Sequence, residues 1–115
     1  MNFVTLLLAS AINLQCQQTT WDGLPCENPV DCDRLMEFTL DLDNKSGELK
    51  STDFYEGKLE VDVYATDKLQ VTPNYINFPF SDTYINIDRR NSTFALNRAG
   101  GVCKLVDKEE VERAF

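Results

Sequence analysis

Between positions 83 and 106 the chain alternates apolar and polar residues with a period of two, a rhythm that few folds accommodate. Ile85 and Ile87 point one way, while Tyr84, Asn86 and Asp88 point the other. After the polar turn Arg89-Arg90-Asn91-Ser92, Phe94 and Leu96 repeat the alternation. Ala99-Gly100-Gly101 then reads as a break, beyond which Cys103 and Leu105 continue the apolar face. Alternation bounded by Gly and Asn clusters marks half-buried strands, so three short antiparallel strands joined by tight turns are expected here.

The same signal runs upstream. Met36, Phe38, Leu40 and Leu42 alternate with Glu37, Thr39, Asp41 and Asp43, and a turn at 43–47 leads to a short strand at 48–52. Positions 58–65 read as a strand with Leu59, Val61 and Val63 inward and Glu60, Asp62 and Tyr64 outward. Two more are expected at 69–72 and 75–80, the latter with Ile76, Phe78 and Phe80 on one side. Pro79 lacks a ladder donor and directs that strand to an edge or a bulge. The sum is an all-β meander of about eight short strands over 34–106, curled into a small barrel or a strongly bent sheet. Phe38, Leu40, Val61, Val63, Ile85, Ile87, Phe94 and Leu96 should share its interior. In the tail at 107–115, Asp107 and Glu110 stand at capping-box spacing for a short helical turn.

Ahead of the meander, Phe3-Val4-Thr5-Leu6-Leu7-Leu8 followed by Ala9-Ser10-Ala11 has the apolar run and small residues of a cleavable secretory signal at 1–11. The run is too short to span a bilayer, which needs about 20 apolar residues. Positions 12–33, rich in Gln, Thr, Pro and Asn, read as an irregular lead-in held by cysteines, with Trp21 as a lid on one end of the core. Cys16, Cys26, Cys32 and Cys103 make an even set of four, as expected of a secreted or periplasmic domain stapled by disulfides. Four cysteines permit three pairings. Cys32 with Cys103, leaving Cys16 with Cys26, would staple the seam between the first and last strands of a closed barrel. Cys26 is the rival partner for Cys103.

Composition removes several classes of function. A net charge of −8 on 115 residues speaks against nucleic-acid binding, which wants a basic stripe. With no histidine, Ser-His and Cys-His nucleophiles are excluded, and no Cys-x-x-Cys spacing suits zinc. Asp41-Leu42-Asp43-Asn44-Lys45-Ser46-Gly47 has a superficial likeness to a calcium loop. Lys45, Ser46 and Thr52 stand where such a loop needs an oxygen ligand, a glycine and a glutamate. No glycine-rich phosphate loop precedes a helix. No catalytic, cofactor or metal residues are therefore expected. Asn44-Lys45-Ser46 and Asn91-Ser92-Thr93 are glycosylation sequons at hairpin tips, usable if the source is eukaryotic.

A short leader, Trp21 followed by Cys26, a meander, then Ile87-Asp88-Arg89, Phe94 and Gly101-Val102-Cys103-Lys104 together resemble a loose group of uncharacterised small secreted β-proteins of marine bacteria and their phages. The resemblance implies export and a β fold, and no activity; Cys16 and Cys32 depart from the group's simplest pattern. The meander is also similar to lipocalin-like barrels, but their Gly-x-Trp is absent and Trp21-Asp22-Gly23 reverses its order. The reading that follows is a monomeric, secreted or periplasmic, non-catalytic binding or structural module. One alternative is a lipocalin-like carrier of a small apolar ligand. Another is a disulfide-stapled inhibitor of a secreted enzyme, using the loop at 22–29.

Overall fold

The computed structural model describes residues 11–26, 34–55 and 57–106, and within them ten antiparallel strands form one curled sheet, a half-barrel. They are β1 (Ala11–Trp21), β2 (Leu24–Pro25), β3 (Leu35–Asp41), β4 (Ser46–Tyr55), β5 (Lys58–Thr66), β6 (Gln70–Val71), β7 (Tyr75–Phe80), β8 (Thr83–Asp88), β9 (Thr93–Leu96) and β10 (Ala99–Leu105). Their order across the sheet is β5-β4-β3-β1-β10-β9-β8-β7-β6, with β2 paired to β1 alone. From Ala11 the described chain thus runs from the middle of the sheet out to one edge, crosses to the other and returns. The crossing, Asp67-Lys68-Leu69, reaches at most about 14 Å, so the two edges must curl toward each other. Leu69 is buried in that bend, its amide donating to the Lys45 carbonyl at 3.0 Å.

One face of the curl holds the core. Met36, Phe38 and Leu40 of β3 face Ile76 and Phe78 of β7, Ile85 and Ile87 of β8, and Phe94 and Leu96 of β9. Phe38 and Phe78 meet edge to face across the interior, their ring centroids 5.5 Å apart.

The segment 11–26 corrects the reading of an irregular lead-in: β1 is a central strand, hydrogen-bonded to β3 on one side and β10 on the other. Leu14, Cys16 and Gln18 are its buried positions. The inward glutamine hid the alternation, and its side-chain amide is satisfied by donating to the Thr20 carbonyl at 3.2 Å. The first and last strands do lie side by side, but the first is β1, inserted between β3 and β10. Gly100 and Gly101 do not break the chain into separate strands; β10 runs through them. Opposite them the register shifts between Gln18 and Thr20, a bulge that sharpens the local twist.

Two further expectations fail, the first for reasons of register. Leu59, Val61 and Val63 lie on the outer face, 59%, 47% and 60% exposed. The turn that pairs Tyr55 with Lys58 sets Leu49 opposite Tyr64 and Ser51 opposite Asp62. Tyr64 therefore takes the inner face with buried Leu49, and its ring meets that of Phe80 at a tilt, the centroids 4.6 Å apart. Trp21 is no lid: it is 48% exposed at the start of the β1–β2 hairpin. Pro79 sits as expected, in the part of β7 that extends past its pairing with β6. The proposed signal up to position 10, the lead-in at 27–33 and the helical turn at 107–115 lie outside the described residues.

Candidate functional site

Three surfaces invite a functional reading: a small cavity, the β1–β2 hairpin and the edge strand β5. The cavity, of about 260 Å³, is lined by Ile12, Leu14, Ile76, Ile87 and Leu105, with Asp88, Arg89 and Ser92 adding polar groups. Beside it the turn at 89–92 is tightly held. The Arg89 guanidinium donates to the Thr72 carbonyl at 2.8 Å, and the Ser92 amide donates to the Asp88 carbonyl at 2.9 Å. Arg90 pairs with Asp88 at 3.0 Å and lies 5.0 Å from the centre of the Tyr75 ring. The hydrogen bond from the Arg90 side chain holds the Asp88 carboxyl below its ordinary range; partial burial opposes it, and the Arg90 backbone amide assists. These contacts stitch a turn, and none aligns a nucleophile with a base.

The β1–β2 hairpin turns through Asp22 and Gly23, both at positive φ (53° and 79°), which identifies the two-residue turn of an Asp-Gly hairpin. It is pinned to the β9–β10 turn: the Asp22 amide donates to the Arg98 carbonyl at 2.8 Å, and Arg98 pairs with the Asp22 carboxylate at 3.4 Å. Leu24 and Trp21 are both exposed there. Positions 27–29 of the expected inhibitory loop lie outside the described residues.

The third surface is β5. It pairs with β4 through all nine of its residues without a bulge, and no strand among the described residues pairs with its other side. Its outer face carries Leu59, Val61, Val63 and Ala65, all exposed, and its inner face carries Glu60 and Asp62, also exposed. The sequence reading missed this stripe. The signal was available in Gly57, whose positive φ of 77° marks the turn that fixes the register against Leu49.

The cysteines resolve differently from expectation. Cys16 is bonded to Cys103, directly across β1 and β10 with Cα atoms 4.0 Å apart, in place of the expected Cys32–Cys103 and Cys16–Cys26 bridges. The reason is again β1, which occupies the position beside β10 that had been assigned to the strand following Cys32. Cys26 is disulfide-bonded as well, and Cys32 lies outside the described residues. Both sequon asparagines fall in exposed turns; the Asn44 side-chain amide donates to the Asp41 carboxylate at 2.7 Å.

Among the described residues no group of three His, Cys, Asp or Glu side chains is placed to hold a metal ion, and no helix is long and apolar enough to cross a membrane. No protein-family model, curated protein or solved structure significantly matches the chain.

Proposed function

We propose that this protein is an exported, non-catalytic module that binds another protein through its surface. The observation that carries this reading is the direction of its apolar residues. The interior is packed with Phe38, Phe78, Met36 and Leu40, while β5 turns a row of aliphatic side chains to solvent. Exposed apolar rows bordered by charge mark interaction surfaces. The disulfide between Cys16 and Cys103 and the apolar leader support an oxidising destination. A carrier role is the weaker reading: the apolar cavity of about 260 Å³ falls below the ~300–1,000 Å³ of small-molecule sites, and the larger clefts of about 360 and 490 Å³ lie open to solvent among polar groups such as Gln15, Lys104, Asp41 and Glu48.

The exposed Trp21–Leu24 hairpin favours one second reading, an inhibitor that presents this turn to a secreted enzyme. Capture from the native extracellular medium on the immobilised protein separates the readings. A partner that is lost with Val61→Lys and kept with Trp21→Ala supports binding through β5; the reverse supports the hairpin. A small apolar molecule released on denaturation, with no protein retained, would overturn both in favour of the carrier.

A further inference from the structure

Edge strands expose unpaired backbone groups, and folded proteins usually blunt them by shortness, proline or a bulge. One side of this sheet is treated so: β6 is only two residues long, and Pro79 stands in the part of β7 beyond it. The side formed by β5 lacks these devices and is blunted only by charge, with Lys58, Glu60 and Asp62 on its inner row; it has nine residues, no proline and regular pairing to β4. Its two faces also differ sharply in chemistry. Leu59, Val61 and Val63 alternate with Glu60 and Asp62, so any strand laid alongside meets aliphatic groups on one face and carboxylates on the other.

Resting on the binding role proposed above, we infer that β5 is a strand-addition site for an extended segment of a partner protein in which basic and aliphatic residues alternate. The backbone edge would supply the ladder hydrogen bonds and the alternation would supply the specificity. Charge selects the occupant. A second copy of this chain is disfavoured: pairing β5 with itself about Asp62, the register that uses the whole strand, sets Asp62 against Asp62. Pairing about Val61 sets Glu60 against Asp62, and like charges directly opposed destabilise a ladder; the register about Val63 opposes none and is resisted by net charge alone. The net charge of −8 repels a second copy further and attracts a cationic strand.

The test uses the intact, oxidised protein and a capped seven-residue peptide of alternating lysine and valine, with binding read by fluorescence anisotropy and by amide exchange in β5. Saturable binding that slows exchange at 59–63 is expected. Asp62→Lys should weaken it at least tenfold, whereas Asp43→Lys, the same charge change in the β3–β4 turn beyond the end of β5, should alter it less than twofold. A peptide of the same composition with its lysines clustered should bind at least tenfold more weakly. Equal losses from the two substitutions, or equal affinity for the clustered peptide, would reduce the effect to net charge and overturn the site. So would a dimer in sedimentation that Val63→Lys dissolves, because the edge would then be filled by a second copy. The failure is distinguishable from failure of the binding role: a natural partner captured equally by wild type and Asp62→Lys would sink strand addition and leave that role standing.

Discussion

Gly101 shows how tightly single residues are constrained at the centre of the sheet. A Cβ at this buried position would lie 2.0 Å from the Gln17 carbonyl oxygen and 2.6 Å from Cε1 of Phe94. The backbone oxygen cannot step aside as a flexible side chain would. Gly101→Ala should therefore lower unfolding stability by roughly 1–3 kcal/mol in urea titrations, the range for overpacking. Ser81 presents the opposite case. It holds φ at 56° in the turn between β7 and β8, a left-handed conformation that costs a side-chain-bearing residue about 1–2 kcal/mol. Ser81→Gly is expected to raise the melting temperature by a few degrees. Asp88 gives the pH test. Arg90 depresses its carboxyl, so the pairing stabilises the fold above the unfolded carboxyl's pKa and is lost as pH falls through the depressed folded value. A carboxyl-detected NMR titration should place Asp88 below an unstructured aspartate, and Arg90→Ala should return it toward the ordinary range.

Among the elements, what the sequence revealed depended on whether a strand has one wet face and one dry face. β3, β7, β8 and β9 do, and Phe38, Leu40, Ile76, Phe78, Ile85, Ile87, Phe94 and Leu96 are buried as their alternation implied. β1 escaped notice because its inner row passes from Leu14 and Cys16 to Gln18, and a buried glutamine with its own hydrogen bond breaks no physical rule while masking the period. β5 misled in the other direction: its alternation is clean, but as an edge strand it has no dry face. Pattern alone cannot say which row faces the core; the register against Leu49 does. The candidate surface was therefore hidden by the same step that inverted the strand. Stability measurements can verify the assignment. Val63→Thr should change unfolding stability by no more than about 0.5 kcal/mol, as surface substitutions do, whereas Phe38→Ala should cost about 3–5 kcal/mol. A large loss at Val63 would restore the inward reading and remove the binding stripe with it.

As a whole molecule the sheet is two meanders joined at a seam. One arm comprises β3, β4 and β5, the other β6 through β10, and β1 bridges them by pairing with β3 and β10. Within each arm, neighbouring strands follow one another in the chain, and their hairpins close cheaply. The seam between β1 and β10 joins segments far apart in sequence, which makes it the costliest part to form and the first expected to open. The Cys16–Cys103 bridge sits in this seam and spans 87 positions. A loop of that size corresponds to about 4–5 kcal/mol in the chain-entropy treatment, and measured losses on removing such bridges run from about 2 to 5 kcal/mol. Replacing both cysteines with alanine should produce a loss in that range, and it should be uneven. Amides of β1 and β10 near the bridge should lose exchange protection by a larger factor than those of the β7–β8 hairpin, which is local and packs Phe78 against Ile85. Loss of protection by one common factor throughout would mean that the arms and seam melt as a single unit. In that case the bridge acts on the unfolded chain alone, and the two-arm account of the half-barrel is wrong.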